Sequence, residues 1–179
     1  EHNLENALAA VAAAASAGVG FEQAVASLKR FEGVKRRLER TATIGDIIVY
    51  DDFAHHPTAI ERTLAGMRKR HPGRRIVVAL EPRSNTMKMG VHNDRLAQSL
   101  READRVFVYR PDGFDDGFDR AFDGLGDNVT VVDDYDALVA GLEAELGAGD
   151  RVVFMSNGGF GAVRQKLTLA LQTRAAADP

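Results

Sequence analysis

Five short apolar runs, Ile47 to Tyr50, Ile76 to Leu80, Val106 to Tyr109, Val129 to Val132 and Val152 to Met155, recur along the chain, with helical stretches at 57–70, 92–103, 135–146 and 161–174 between or after most of them. Unbroken apolar runs of four or five residues are what strands show when both of their faces are buried, as in a parallel sheet. The alternation predicts an α/β fold: a Rossmann-like, mostly parallel sheet flanked by helices. Upstream, residues 4–17 read as a helix that Gly18 and Gly20 break, and Phe21, Val25, Leu28 and Phe31 stand at helical spacing in a second. An N-terminal helical hairpin is expected there. Leu38, Arg40, Ala42 and Ile44 alternate with polar neighbours before Gly45-Asp46, so a β-hairpin leads into the sheet. The Asp- and Gly-rich span from Pro111 to Gly126 reads as a surface loop with a short helical turn.

At 179 residues the chain has room for one domain with a real core and a short appendage. A formal charge of −3 offers no basic footprint for nucleic acid, and no apolar run approaches the roughly 20 residues of a membrane span. The absence of cysteine excludes a disulfide framework and thiolate zinc sites, and no secretory signal opens the sequence. These features point to a cytoplasmic protein directed at small molecules. Glu1-His2-Asn3 leads into the first helix without a methionine, as expected of a piece of a longer polypeptide.

Ligands of parallel sheets bind beyond the carboxyl ends of the strands, where helix N-termini favour anions. Three strand-to-helix turns carry polar groups there. In Asp51-Asp52-Phe53-Ala54-His55-His56-Pro57, Asp52 suits the hydroxyls of a ribose and His55 or His56 a phosphate; equally, Asp52 suits a helix cap and the histidines a wet surface. Zinc is excluded because His2, His71 and His92 lie at no ligand spacing from that pair. Glu81-Pro82-Arg83-Ser84-Asn85-Thr86-Met87-Lys88 mixes a carboxylate, a guanidinium, an amide and hydroxyls, which suits a ligand carboxylate on Arg83. Ser156-Asn157-Gly158-Gly159-Phe160-Gly161 lets backbone amides approach a ligand, or is a turn needing positive φ. Neither a P-loop nor a dinucleotide fingerprint is present. Lys35, Arg36 and Arg37 form a basic run that is either solvated or near phosphate.

Taken together, His2-Asn3-x-x-Asn6-Ala7-Leu8, Phe31-x-Gly33-x-x-Arg36-Arg37-x-Glu39 and Asp51-Asp52-Phe53-Ala54-His55-His56-Pro57-Thr58 resemble, in order, motifs of the C-terminal portion of the Mur ligases. These ATP-dependent enzymes add amino acids or peptides to the peptidoglycan precursor. The resemblance implies that residues 1–32 are the tail of a central ATPase domain and residues 33–179 the C-terminal domain. It implies nucleotide contacts by His2, Asn3, Asn6, Arg36, Arg37, Asp52, His55 and His56, and substrate contacts by Arg83, Ser84, Asn85, Thr86, Ser156, Asn157, Gly158 and Phe160. The implied chemistry is phosphorylation of a muramate carboxylate by ATP, then attack of a peptide amine on the acyl phosphate. Mg2+ and its ligands would belong mainly to the central domain, so the chain alone is expected not to catalyse ligation.

Within the family, the turns after Leu80 and Met155 look most like those of members joining L-alanyl-γ-D-glutamyl-meso-diaminopimelate to UDP-N-acetylmuramate in peptidoglycan recycling. Members adding single L-alanine share the Asp-Asp-aromatic-small-His-His-Pro motif and are the alternative. Beside these stand a non-catalytic nucleotide- or peptide-binding module and, disfavoured by the lack of glycines after the first strand, a nicotinamide-dependent oxidoreductase.

Overall fold

Every residue of the strands Ile76–Glu81 and Arg151–Ser156 is buried, which requires a packed layer on each face of the sheet. The computed structural model, which describes residues 2–83, 93–114 and 117–177, supplies both layers. Among the described residues the sheet runs through β1 (Glu39–Ile44), β2 (Ile47–Asp52), β3 (Ile76–Glu81), β4 (Arg105–Tyr109), β5 (Val129–Val132) and β6 (Arg151–Ser156), in the spatial order β1-β2-β6-β3-β4-β5. All neighbours are parallel except β1, which is antiparallel to β2. The helices are α1 (His2–Ser16), α2 (Phe21–Leu28), α3 (Pro57–Arg70), α4 (Asn93–Ser99), α5 (Gly117–Arg120), α6 (Tyr135–Glu145) and α7 (Val163–Ala177). The α/β expectation and the hairpin entry are met.

Period-two geometry divides the strand side chains between two cores. Ile76, Val78, Leu80, Val153 and Met155 face α3, α4 and α5 through Ile60, Leu64, Leu96 and Phe118. Val77, Ala79, Val152 and Phe154 face α6 and α7 through Leu138, Leu142, Leu167 and Leu171.

The chain divides into two compact units, Glu1–Val34 and Lys35–Pro179. In the first, α1 and α2 pack on each other, and α1 closes with the amides of Gly18 and Val19 bonded to the carbonyls of Ala15 and Ala14, a Schellman ending. Helix α2 stops at Leu28, short of Phe31, because the amides of Lys29, Arg30 and Phe31 bond three residues back and tighten the chain into turns.

Other differences from the sequence reading have local causes. Pairing jumps from Arg40 opposite Tyr50 to Ala42 opposite Val49, so Thr41 is an unopposed bulge residue that breaks the expected alternation. The helix expected over 92–103 is α4 followed by a tighter turn, with the Leu100 amide on the Ala97 carbonyl. The span from Pro111 to Gly126 is more than a surface loop. Phe114, Phe118 and Phe122 stack edge-to-face in series at 4.6 and 5.2 Å, and Phe118, Ala121 and Phe122 enter the first core.

At the C-terminal end of α3, His71 Nε2 lies 2.9 Å from the hydroxyl of the buried Tyr50. Burial, and then the charges of Arg151, Arg70 and Arg74, hold the pKa of His71 below its ordinary 6.5. Below about pH 6.5 the unfolded chain therefore binds more protons at this position than the folded one, and the contribution of His71 to stability falls as pH drops. Thermal unfolding followed from pH 7.5 to pH 5 should show a shallower fall for His71→Gln than for the wild type; parallel curves would remove His71 from the acid response.

Candidate functional site

Because β2, β6 and β3 are adjacent and parallel, their carboxyl ends lie side by side, with Asp52 opposite Met155 and Glu81 opposite Ser156. The three polar strand-end turns therefore start from one edge.

In the first turn Asp52 is 4 % exposed. Its Oδ2 accepts the Leu38 amide at 2.7 Å, and Oδ1 accepts the Ala54 amide at 2.7 Å and the Thr63 hydroxyl at 3.4 Å. Burial raises its pKa above the ordinary carboxylate value; the amides of Ala54 and Leu38, the Arg37 charge and the Thr63 hydroxyl pull the other way. A carboxylate has about four lone-pair positions, so much of its accepting capacity is committed to the chain. The cap of α3 is His56, whose Nδ1 accepts the Thr58 amide at 3.3 Å and so carries no proton. Nδ1 of His55 lies 2.9 Å from the Phe53 carbonyl. A carbonyl only accepts, so that nitrogen carries the proton and Nε2 is the other polar atom of the ring.

Arg36 and Arg37 both place guanidinium groups over the Phe53 ring, 5.1 and 5.6 Å from its centre. Arg36 also donates to the carbonyls of Ser156 and Gly158 at 2.5 and 2.8 Å. Its Nε is 3.6 Å from Asp51, whose same oxygen lies 3.5 Å from Arg164. Arg36 thus ties the first turn to the third, while Arg37 is exposed. Arg36 and Leu38 adopt φ of +57° and +50°, unusual for non-glycine residues. The bonds from the Arg36 amide to Glu39 and from the Leu38 amide to Asp52 hold them there.

The second and third turns meet on Glu81. Its Oε1 accepts the Tyr135 hydroxyl at 2.5 Å and its Oε2 the Ser156 hydroxyl at 2.6 Å, while Ser156 Oγ accepts the Gly158 amide at 2.9 Å. Burial, and then the bond to Glu81, push the Tyr135 hydroxyl well above its ordinary pKa, so it stays a donor. Tyr135 stacks on Tyr109 with ring centres 4.0 Å apart. Together with Glu81, Arg83, Pro111 and Asp112 these rings line a cavity of about 310 Å³. Its exposed guanidinium and carboxylate can pair with charges of opposite sign on a ligand.

The fold thus gathers Arg36, Arg37, Asp52, His55, His56, Arg83, Ser156, Asn157 and Gly158 on one edge. Asn157 Oδ1 is buried there without a hydrogen-bond partner. Phe160 was expected to touch substrate, but it is 5 % exposed and packs edge-on against Phe154 and Tyr135. Its place in the second core follows from the left-handed turn of Phe160, Gly161 and Ala162, with φ of +48°, +50° and +57°, which folds the ring inward. Asn3 and Asn6, three residues apart on α1, share a face of that helix in the first compact unit. Ser84, Asn85, Thr86 and the side chain of His2 lie outside the described residues.

Tyr109, Asp112 and Tyr135 went unread in the sequence, and Glu81 was read only as one polar group among several. Tyr109 ends an apolar run and Tyr135 opens the helix after the next run, so counting strand-end positions on the shared edge was the available signal. Among the described residues no group of three or more His, Cys, Asp or Glu side chains stands close enough to hold a metal ion.

Residues 36–158 match the family model described as Mur ligase, glutamate ligase domain. The UDP-N-acetylmuramate–L-alanyl-γ-D-glutamyl-meso-2,6-diaminoheptandioate ligase of Haemophilus influenzae is 44 % identical over 168 residues, covering 93 % of this chain and 37 % of that protein. The UDP-N-acetylmuramate–L-alanine ligase of Mycolicibacterium gilvum is 33 % identical, over 97 % of this chain and 38 % of its own length. Among solved structures, a murein peptide ligase of Psychrobacter arcticus superposes with a TM-score of 0.75 at 44 % identity, covering 96 % of this chain and 37 % of that one. The chain therefore spans less than two fifths of the length of these relatives. The family model covers most of the sequence and takes in all three strand-end turns up to Gly158, and on that ground the chain belongs to the Mur ligase family.

Proposed function

We propose that this chain is the C-terminal part of an ATP-dependent ligase that joins L-alanyl-γ-D-glutamyl-meso-diaminopimelate to UDP-N-acetylmuramate, with residues 1–32 the end of its central domain. The observation that carries the reading is the adjacency of the first turn, whose Asp52 and His55 suit a ribose and a phosphate, and the Arg83 cavity, with only β6 between their strands. Bound ATP would supply the phosphoryl group that activates the muramate carboxylate. The chain's own residues would do the rest at this edge. Asp52 would use its remaining lone-pair capacity on ribose hydroxyls, and Arg37 and His55 Nε2 would face phosphate. Arg83 would hold a peptide carboxylate in bidentate fashion while Asp112 attracts an ammonium group. The donor set fits ATP. Among the described residues no acidic or histidine cluster could hold Mg2+, so ligands for that ion are assigned to the central domain.

Exposed Leu4, Leu8, Phe21 and Phe31 on the two-helix unit support its assignment to a larger domain. The 44 % identity to a relative named for the tripeptide, against 33 % to one named for L-alanine, favours a peptide over single L-alanine. Among the described residues no helix is long and apolar enough to cross a membrane, and work in the cytoplasm, where ATP is available, is part of the proposal.

The test is ligation by the full-length protein with ATP, Mg2+ and UDP-N-acetylmuramate, comparing tripeptide with L-alanine as the amine. Tripeptide-dependent product is expected; product with L-alanine alone would shift the reading to the alanine-adding members. No phosphate release with either amine would leave a binding module. In the same assay Arg83→Ala should raise the KM for tripeptide about tenfold, the loss of roughly 1.4 kcal/mol, and leave that for ATP within about twofold. Equal changes in both would remove Arg83 from the peptide site.

A further inference from the structure

The hydroxyl bonds at Glu81 join three segments distant in sequence. Glu81 ends β3 and is 1 % exposed, Tyr135 begins α6, and Ser156 ends β6. Ser156 Oγ already accepts the Gly158 amide, so its own proton goes to Glu81. An ionised carboxylate accepts at both oxygens, so it can take both hydroxyl protons at once; a glutamine would turn an amide donor toward one of them.

What these bonds hold in place is the cavity itself. The Tyr135 ring is one wall, and it presses so closely on Gly161 that a Cβ there would strike it. The Arg83 side chain lies against Gly158 in the same way. The carboxylate therefore fixes one wall directly, and through Ser156 and the Gly158 amide it fixes the surface on which Arg83 rests.

We propose that Glu81 is a positioning residue for the peptide site, acting through Tyr135 on one side and through Ser156 and Gly158 on Arg83. This rests on the ligase reading above, and wild-type turnover with tripeptide comes first in the test; its absence overturns both the reading and the proposal, whereas normal wild-type turnover leaves the variants to judge Glu81 alone.

In the full-length enzyme Glu81→Ala should raise the KM for tripeptide at least about tenfold and leave the KM for ATP within about twofold. Glu81→Gln, which keeps one acceptor, should recover part of the loss. Tyr135→Phe should act in the same direction, and adding it to Glu81→Ala should bring little further loss, because both break one network. If Glu81→Ala does not fold, Tyr135→Phe and Ser156→Ala carry the test by the same split. A merely structural carboxylate would lower the unfolding temperature and leave the tripeptide KM unchanged. That outcome, equal shifts for ATP and tripeptide, or full additivity of the double variant would overturn the proposal.

Discussion

Replacing Phe154 by alanine is expected to lower the stability of the folded chain by about 3–5 kcal/mol, the usual cost of deleting a large aromatic from a close-packed core. Phe154 is in β6, between β2 and β3, and is buried among Val49, Val77, Leu138 and Leu167 of the second core. Its ring meets Phe160 at 5.7 Å, 75° from coplanar. Loss of the ring opens a cavity where the sheet has neighbours on both sides and little freedom to close in. It also removes a support from the left-handed turn at Phe160, Gly161 and Ala162, whose two non-glycine members hold a conformation they reach only under constraint. Urea unfolding should show a lower midpoint with an unchanged denaturant slope. A loss below about 1 kcal/mol would mean that the helices relax into the gap and that the core is less closely packed than it looks.

Asp52→Ala is expected to have two separable effects. The first is on stability. The amides of Leu38 and Ala54 lose their common acceptor, and each unsatisfied donor costs about 1–3 kcal/mol where water cannot replace the carboxylate. The second is on nucleotide use in the full-length enzyme. A charge-assisted hydrogen bond to ribose is worth about 1.5–3 kcal/mol, so the KM for ATP should rise roughly tenfold to a hundredfold, with that for tripeptide within about threefold. Thr63→Val removes only the longest of the three bonds to Asp52 and should move neither KM appreciably. If Asp52→Ala unfolds more easily yet keeps its ATP dependence, the carboxylate is a brace for residues 36–38 and the ribose is held elsewhere.

The central strands β3 and β6 were legible in the sequence because burial on both faces leaves no polar interruption in Ile76 to Leu80 or Val152 to Met155. The shared edge was legible for the same reason: parallel strands place their carboxyl ends together. The bulge at Thr41 was not, since it depends on which residue of β2 each residue of β1 meets. Phe118 and Phe122 were hidden among aspartates and glycines that dominate the composition of their segment. At the site, the residue types around Asp52, His55, Arg36 and Arg83 could be read, but not how they divide their hydrogen bonds. The capping role of His56, the tie from Arg36 to the third turn and the commitment of Asp52 to Leu38 all depend on contacts between segments. Tyr135 shows the limit most plainly. Its neighbours in sequence say helix start, and only the fold brings it to Glu81.

The position of β6 sets the order in which this sheet can be completed on the ribosome. Of the described strands it is the last to be made, yet it stands between β2 and β3. Until residues 151–156 have left the exit tunnel, β2 and β3 have no partner on their facing sides, and each presents an apolar strand with an open row of backbone groups. The nascent chain must therefore carry the β1-β2 and β3-β4-β5 parts of the sheet unjoined until β6 emerges, a state open to wrong pairing and to capture by chaperones. A stop codon upstream of Arg151 removes the strand that joins them.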